Sequence, residues 1–538
     1  MRAQQPDEEP DDEPEDDQSD QPAQNPHDTS RGPTAILGAP AGPVPATAIP
    51  CARASLPRDS AVADPAPPQR AAPQGPPCAT MDAAPRTTQT QQTTEGRGTA
   101  VEPTQQQTTG TRLDPWVDAY AARTRGLTAS QVRALFAVAS RPEVVSLAGG
   151  MPYVSALPLD QIADMTARLL RERGPQALQY GSGQGDVTLR EQILEVMEPV
   201  GVRAHPDDIV VTAGSQMALD LVVRVFCDPG DVVLVEAPTY VTALGVFSSY
   251  QCQVVHVPMD EQGMRPDALR EAIARVRAEG RTPKLVYTIP SFHNPGGVTQ
   301  GPQRRLEVLD AARSNGLLLL EDDPYGLLGF DGSVPRAIRA DEAEGVIYLG
   351  TFSKTIAAGL RVGWAVAPHG VREKLVLANE TATLCPSNFA QLTISEYLAT
   401  QPWFDQVKVF REVYRERRDA LLEGLDALMP EGTTWTVPGG GFYSWVTLPD
   451  GLDATAMLPR AVAALVAYVP GTGFYAGGDG GHNALRLSYC YPEPDRIREG
   501  VRRLAGVIEA ELEIVQTFGS PSARSSRRGP TSPTPDLA

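Results

Sequence analysis

A short stretch from Thr351 to Trp364, TFSKTIAAGLRVGW, combines hydroxyl side chains, a lysine and an arginine. The chain has 47 lysines and arginines, but lysine occurs only at Lys284, Lys354, Lys374 and Lys408. A guanidinium stays protonated, whereas a primary amine can lose its proton and condense with a carbonyl group. A lone lysine is most often a solvated surface charge. The neighbours of Lys354 must therefore show whether it is an exception.

Several polar residues suit the binding of one anion. Ser215 and Gln216 follow the aliphatic run DIVVTAG and begin an apolar helical pattern, and a helix N-terminus favours anions. Taken alone, Ser215 would more often be an ordinary helix N-cap. Thr351, Ser353 and Arg361 add two hydroxyls and a guanidinium, which suit a second set of phosphate contacts.

Other residues at the ends of aliphatic runs suit a flat ring. Tyr240 follows DVVLVEAP and could stack on a ring, although a turn tyrosine usually packs in a core. Asn294 lies in SFHNPGG, which alone would be an ordinary turn. Asp322 and Tyr325 end the run GLLLLEDDPY, where a buried carboxylate needs a donor or a cation. Together these residues predict a ligand with a phosphate, a ring with a protonatable group, and an electrophile for Lys354.

The elements that must position these residues are predicted from the aliphatic runs DIVVTAG, DVVLVEAP, QVVHVP, KLVYTIP, GLLLLEDD, GVIYLGTFSK and RVGWAVAP. They alternate with amphipathic helical patterns such as PDALREAIARVRAEG. This order predicts an α/β fold with a mostly parallel sheet flanked by helices. Ligands bind such sheets beyond the carboxyl ends of the strands, where the polar residues fall.

The pattern changes after about Cys385 to longer helices and isolated strands such as GGGFYSWVTLP and NALRLSYCYP, which predict a smaller α+β domain. The acidic, then Pro-, Thr- and Gln-rich N-terminal segment cannot bury enough surface to fold. We therefore predict a disordered tail over 1–110, an N-terminal arm over 111–155 that contributes to the small domain and the site, a large domain over 156–384, a small C-terminal domain over 385–516 and a second disordered tail over 517–538.

Composition argues against several classes of function. The net charge of -19 is concentrated at the N-terminus, and the basic face that nucleic-acid binding needs is not evident. No apolar run is long enough to span a membrane, and no secretory signal is evident, so we expect a cytoplasmic protein. The six cysteines form no CxxC pair and show no zinc-site spacing, so we expect no metal.

The motifs in this order resemble the fold-type-I, class I/II aminotransferases that use pyridoxal 5'-phosphate, especially the α-aminoadipate and kynurenine aminotransferase group. The resemblance covers roughly Thr128 to Gly506. It rests on the segments VVSLAGGMP, ALQYGSGQGDVTLREQI, AGSQMAL, EAPTY, HNPGG, EDDPYG, TFSKTIAAGLRVGW, GGGFYSWV and LRLSY. It implies that the large domain binds the cofactor.

The resemblance implies a role for each candidate. Lys354 would bond covalently to the cofactor aldehyde, Asp322 would pair with the ring nitrogen, and Tyr240 would stack on the ring. These three are the predicted catalytic residues. Asn294 and Tyr325 would contact the phenolic oxygen of the ring. The predicted phosphate ligands are Ser215, Gln216, Thr351, Ser353 and Arg361, with Tyr180 reaching in from a neighbouring subunit.

The resemblance also implies a substrate and a reaction. Arg486 in LRLSY would clamp the substrate α-carboxylate, with Gly150 and Asn294 beside it. The enzyme would move the amino group of an L-α-amino acid, of 2-aminoadipate, aromatic or branched-chain type, to a 2-oxo acid such as 2-oxoglutarate. Homodimers with shared active sites are expected. The segment GGMPYVSALP departs from the more common GGLPxPxxFP pattern beside the substrate.

Three alternatives remain open from the sequence. The fold also supports decarboxylases, β-lyases and other pyridoxal-phosphate reactions, because the orientation of the substrate decides which bond breaks. A transcriptional regulator with an aminotransferase-like domain would need a basic winged helix ahead of Leu113, where the sequence is acidic and Pro-rich. An inactive scaffold is disfavoured by the joint presence of Lys354, Asp322 and Arg486.

Overall fold

The computed structural model describes residues 114–126 and 141–519. The tail predicted over 1–110 and almost all of the tail predicted over 517–538 lie outside the described residues. The last helix ends at Phe518, slightly beyond the boundary predicted at 516.

The strands and helices follow in chain order. The strands are β1 (Val145–Ser146), β2 (Ile209–Thr212), β3 (Val232–Ala237), β4 (Gln253–Asp260), β5 (Gly263–Met264), β6 (Pro283–Thr288), β7 (Leu318–Asp322), β8 (Val346–Thr351), β9 (Gly363–Val366), β10 (Thr434–Trp435), β11 (Tyr443–Thr447), β12 (Val466–Ala467), β13 (Val469–Pro470) and β14 (Ala484–Ser488). The helices are α1 (Leu159–Ala177), α2 (Val187–Met197), α3 (Ser215–Phe226), α4 (Val241–Ser249), α5 (Pro266–Ala278), α6 (Pro302–Arg313), α7 (His369–Thr383), α8 (Asn388–Thr400), α9 (Trp403–Leu428), α10 (Ala454–Ala463) and α11 (Pro494–Phe518).

The largest sheet has eight strands in the order β2-β9-β8-β7-β6-β3-β4-β5. Pairing is parallel from β4 through β3, β6 and β7 to β8. Strand β9 runs antiparallel to both of its neighbours, and β5 runs antiparallel to β4. All seven aliphatic runs form strands of this sheet, so the predicted α/β class is confirmed.

Both faces of the sheet are buried, which explains why the strands are apolar on successive residues. Val233 and Val235 of β3 belong to a core that includes α3 and α4, whereas Leu234 between them belongs to a core that includes α5 and α6. Helix α5 buries Leu269, Ala272, Ile273 and Val276, the spacing of one helical face.

A second, antiparallel sheet has the order β10-β11-β14-β13. Helices α9 and α11 pack together, with Gly424 of α9 close to Val501 of α11. Strand β1, from the predicted N-terminal arm, pairs in parallel with β12. The predicted domain boundaries at 156 and 385 stay predictions.

The described residues contain neither a candidate membrane span nor a candidate metal centre. None of their helices combines the length and apolarity needed to cross a bilayer. No group of His, Cys, Asp and Glu side chains in these ranges is arranged to hold a metal ion. The cytoplasmic location stays a prediction.

Strand β8 leads directly into Lys354, and its packing should set the stability of the sheet. Leu349 is fully buried and pairs with Asp322 and Ala365 on the two neighbouring strands. We expect Leu349→Ala to lower the free energy of unfolding by about 3 kcal/mol, because the lost side chain leaves a cavity. Leu377→Ala, at a position 57% exposed on α7, should change it by less than about 0.5 kcal/mol. Urea unfolding measures both, and equal losses would contradict the expectation.

Candidate active site

The candidate side chains meet because of strand direction. Strands β2, β3, β6, β7 and β8 all point their carboxyl ends to one edge of the large sheet, and the chain continues there into Ser215, Tyr240, Asn294, Tyr325 and Lys354. Strand β9 runs the opposite way, so its beginning lies at the same edge. This reversal brings Arg361, which lies just before β9, to the other candidates.

A cavity of about 360 Å³ lies at this edge. The predicted site residues that line it are Gly150, Ser215, Gln216, Tyr240, Asn294, Asp322, Tyr325, Thr351, Ser353, Lys354, Arg361 and Arg486. The structure thus brings together residues that are far apart in the sequence.

Tyr180 is the predicted site residue that does not line this cavity. It lies in the loop after α1, and its side chain is 75% exposed. This position leaves Tyr180 free to contact another molecule, as the prediction of a neighbouring subunit requires.

Lys354 lies in a short π-helical turn, Ser353–Ala357, that follows β8. Its Nζ donates a hydrogen bond to the Gly150 carbonyl oxygen at 2.9 Å. Burial lowers the pKa of the Lys354 ammonium to about 8, and the positive charges of Arg361 and Arg486 act in the same direction. About a tenth of the amine is therefore neutral and nucleophilic at pH 7, far more than for an ordinary solvated lysine.

Asp322 is a buried carboxylate with one unused oxygen. The Tyr287 hydroxyl donates to Oδ2 at 2.7 Å, while Oδ1 has no hydrogen-bond partner in the described structure. Burial raises the pKa of Asp322 to about 7, although the bond from Tyr287 opposes this shift. A protonated ring nitrogen would supply both the missing donor and a positive charge, so the environment of Asp322 fits the cofactor.

The opposite end of the cavity is built for an anion. Arg361 donates to Ser353 Oγ at 3.2 Å and to the Ala213 carbonyl oxygen at 3.2 Å, and no ion pair to an acid is found for it among the described residues. Gly214 has a φ of 82°, and a Cβ there would lie 2.4 Å from an Arg361 nitrogen. The first turn of α3 therefore lies close to a guanidinium that no described carboxylate neutralises, which suits a phosphate group.

Arg486 lies on β14 of the second sheet and is only 3% exposed. It donates to Asn294 Oδ1 at 2.9 Å and to the Ala148 carbonyl oxygen at 2.7 Å, while its Nε has no partner in the described structure. Its guanidinium lies 4.1 Å from the centre of the Tyr443 ring. A buried guanidinium without a carboxylate partner suits an anionic substrate group.

Sequence reasoning missed Tyr443 and Tyr287. Tyr443 lines the cavity, hydrogen-bonds Tyr325, and lies so close to Gly150 that a Cβ there would be 2.0 Å from the Tyr443 hydroxyl. The segment GGGFYSWV is one of the motifs that carry the family resemblance, but its sequence pattern does not show which of its aromatic side chains faces the site. Tyr287 is fully buried in a strand, and its sequence context looks like ordinary core.

A second missed feature is a buried network around Glu236 at the end of β3. Its carboxylate accepts hydrogen bonds from the Thr288 hydroxyl at 2.6 Å, the Ile289 amide at 2.9 Å and Gln300 at 3.1 Å. His293 Nε2 lies 3.1 Å from the same carboxylate. The network fixes the loop that carries the next residue, Asn294, and no spacing rule in the sequence predicts it.

Comparison with known proteins agrees with this geometry. The sequence model of the family described as aminotransferase class I and II matches residues 142–504. The match spans most of the chain, and the chain belongs to this family.

Individual relatives share most of their length with the chain. The aromatic-amino-acid aminotransferase 1 of Thermococcus litoralis is 42% identical over 397 residues, which are 73% of this chain and 95% of the relative. The structure of Pyrococcus horikoshii kynurenine aminotransferase in complex with PMP has a TM-score of 0.70 and 40% identity, and the match covers 73% of this chain and 97% of that one. The α-aminoadipate aminotransferase of Thermus thermophilus, complexed with N-(5'-phosphopyridoxyl)-L-leucine, has a TM-score of 0.68 and 38% identity over 74% of this chain and 100% of that one.

These findings confirm the predicted enzyme class and cofactor. The protein is a pyridoxal-phosphate-dependent aminotransferase of fold type I. The roles assigned to its individual site residues stay predictions.

The low pKa of Lys354 can be measured on the cofactor-free protein. A short pulse of an amine-acylating reagent modifies only the neutral amine, so the yield at Lys354 should rise with pH and reach half its maximum at about pH 8. After unfolding, the pH of half-maximal modification should rise to about 10.5, because water then solvates the ammonium. Peptide mass spectrometry reports the yield at each pH. Half-maximal modification only near pH 10.5 in the folded protein would contradict the lowered pKa of Lys354.

Proposed function

We propose that this aminotransferase moves the amino group of an L-α-amino acid to a 2-oxo acid, with 2-oxoglutarate as the principal acceptor. The observation that carries this proposal is the buried guanidinium of Arg486, which lies in the same cavity as Lys354 and Asp322 and has no carboxylate partner in the described part of the chain. An α-carboxylate bound to Arg486 would hold the substrate amine and Cα towards the lysine. Both the amino acid and the 2-oxo acid carry such a carboxylate, so one clamp serves both halves of the reaction.

The anion end of the cavity would hold the cofactor phosphate. Ser215 and Gln216 offer the first amides of α3, and Thr351, Ser353 and Arg361 offer side-chain donors. The Thr351 hydroxyl bonds Ser353 Oγ at 2.9 Å, so these two side chains hold each other in position. Such preordering reduces the entropy cost of binding.

Tyr240 would hold the ring by stacking, and Asp322 Oδ1 would accept a hydrogen bond from the ring nitrogen. Asn294 Oδ1 is engaged by Arg486, which leaves the Asn294 amide nitrogen to donate to the phenolic oxygen, together with the Tyr325 hydroxyl. Pyridoxal phosphate, when bound, supplies an electron-withdrawing ring conjugated to the substrate amino group. The positive charge on the ring nitrogen would lower the pKa of Asp322 and keep it ionised. The ionised carboxylate would in turn keep the ring nitrogen protonated.

Lys354 would act as the proton-transfer group once the substrate amine has displaced it. Its Nζ would take the proton from the substrate Cα and hold it for return within the same half-reaction. The amino group would stay with bound pyridoxal phosphate, and a water molecule would supply the oxygen of the 2-oxo acid that leaves. A base works best when its pKa lies near the working pH, and the pKa of about 8 satisfies that condition. The Gly150 carbonyl, 2.9 Å from Nζ, would orient the amine.

We propose 2-aminoadipate, aromatic or branched-chain amino acids as donors. The apolar side chains of Met151, Val241 and Ile289 line the cavity, which supports aromatic and branched-chain substrates. The relatives act on aromatic amino acids, kynurenine and α-aminoadipate, as their names state.

We also propose a homodimer with shared active sites. Leu178 and Tyr180, in the loop after α1, are 74% and 75% exposed, and large apolar side chains at such exposure are typical of an interface. The partner copy would place its Tyr180 against the phosphate end of the cavity.

The main alternative is another pyridoxal-phosphate reaction, such as decarboxylation or β-elimination. A regulator role is a weaker alternative. Product analysis distinguishes transamination from decarboxylation and β-elimination, because only transamination consumes a 2-oxo acid and conserves the amino group.

Activity assays of Lys354 and Arg486 variants test the reaction. Purified protein should be yellow, and borohydride should fix the cofactor on Lys354. Lys354→Ala should lower kcat by about 10⁴-fold, since it loses both the covalent link and the base. Arg486→Lys should mainly raise KM for amino and 2-oxo acids, by about 10- to 100-fold, because the paired donors are lost. A colourless protein after incubation with pyridoxal phosphate, or one that forms product without consuming a 2-oxo acid, would overturn the proposal.

Mixed dimers test the role of Tyr180. Lys354→Ala chains and Tyr180→Ala chains are each expected to be poorly active alone, but a mixed dimer has one site with both residues intact. Random mixing should therefore restore about a quarter of the wild-type activity, since half of the dimers are mixed and each has one good site. No recovery, with mixed dimers verified by mass spectrometry, would show that Tyr180 does not act across subunits.

A further inference from the structure

The structure brings together two cysteines that are separated in the sequence. Cys227 directly follows α3 and is buried, and Cys252 directly precedes β4 and is partly exposed. Cys227 belongs to the buried cluster that also includes residues of α3 and α4, Cys252 packs against that cluster, and a hydrogen bond joins the two thiols. Backbone hydrogen bonds join the two segments on either side, from the Gly230 amide to the Gln251 carbonyl at 3.0 Å and from the Gln253 amide to the Asp231 carbonyl at 2.8 Å. Backbone hydrogen bonds therefore hold together the two segments that carry the cysteines, beside the start of β3 and β4.

The two thiols have different chemical environments. The hydrogen bond between the two thiols lowers the pKa of Cys252 and raises that of Cys227. Burial raises the pKa of Cys227 further. Cys252 is thus the more readily ionised and the more accessible thiol, which are the properties of an attacking thiolate. Cys227 lies where a resolving thiol would have to be.

We propose that Cys227 and Cys252 form a reversible redox site whose oxidant is hydrogen peroxide. The Cys252 thiolate attacks one peroxide oxygen, the O–O bond breaks, and hydroxide leaves, so that Cys252 becomes a sulfenic acid. The Cys227 sulfur then attacks the Cys252 sulfur, the S–O bond breaks, and the hydroxyl group leaves as water with the Cys227 proton. The hydroxide takes up the proton first lost by Cys252. In sum, two thiols and one peroxide give one disulfide and two water molecules.

The position of the pair connects it to the active site. A bond between residues 227 and 252 closes a loop that contains β3, Tyr240 and α4. Tyr240 lines the active-site cavity, and α3, which ends next to Cys227, begins at Ser215 on the same cavity. A disulfide would therefore tie together two segments that each carry a residue lining the cavity.

Peptide mapping of the full-length holoenzyme tests the proposal. The protein is treated with submillimolar hydrogen peroxide, remaining thiols are alkylated, and the digest is analysed without reduction. We expect a cross-linked peptide pair joining Cys227 to Cys252, which disappears after treatment with dithiothreitol. Cys385 is also partly exposed and serves as the matched control, because it should stay alkylatable at the same dose. If Cys227 and Cys252 stay as alkylatable as Cys385, or if either links to a different cysteine, the proposal is wrong.

Two serine variants test the order of the steps. In Cys227→Ser the sulfenic acid cannot be resolved, so a dione probe should label Cys252. In Cys252→Ser, Cys227 should remain unlabelled. Transaminase activity of the untreated variants checks that they are folded. Labelling of Cys227 instead of Cys252 would contradict the assigned roles.

Discussion

The active site depends on burying charged groups that do not neutralise one another. Asp322, Lys354 and Arg486 all line one cavity, and among the described residues each is paired with neutral groups. Asp322 accepts a hydrogen bond from Tyr287, Lys354 donates to a carbonyl oxygen and lies over the Phe442 ring, and Arg486 donates to Asn294. Burial of unpaired charge is costly, and the pKa shifts of Asp322 to about 7 and of Lys354 to about 8 express that cost. A cofactor that carries a phosphate, a basic ring nitrogen and an aldehyde complements these groups. When such a cofactor binds, it pairs these groups, and the free energy that their unpaired burial costs is recovered for binding and catalysis.

The surrounding fold makes this arrangement possible. The large sheet is buried on both faces, so its strand ends form a rigid edge from which short loops project. Hydrogen-bond networks then fix the loops. Glu236 anchors the chain on either side of Asn294, and Tyr287 holds Asp322 from the neighbouring strand. Asn294 and Asp322, two of the candidate cofactor ligands, are thus held by side chains that do not themselves line the cavity.

Much of this organisation could be predicted from the sequence. Doubly buried strands leave a strong apolar signal, and polar residues follow the ends of the runs, which is why Asn294 and Asp322 are predicted to lie at the edge where the cavity is found. The reversed direction of β9 is not visible in composition, although Arg361 was identified from its distance to Lys354 in the motif. Tyr287 and Tyr443 could not be found, because a buried aromatic residue has the same local pattern whether it packs or also donates a hydrogen bond. The contact between Cys227 and Cys252 depends on strand pairing across the sheet, which spacing along the chain does not show.

The two ends of the cavity differ in how much sequence change they can tolerate. At the anion end, backbone packs on backbone: a Cβ on Gly363 would lie 2.4 Å from the Ser215 amide nitrogen, so even one methyl group does not fit. At the other end, Met151 lies in a loop and is 45% exposed, with room for larger or more polar side chains. Substitutions near Met151 can therefore change which amino acid is accepted, while the packing of the proposed phosphate site stays unchanged. A single scaffold of this kind can give rise to a lineage of enzymes that share one chemistry and differ in the nutrients they process.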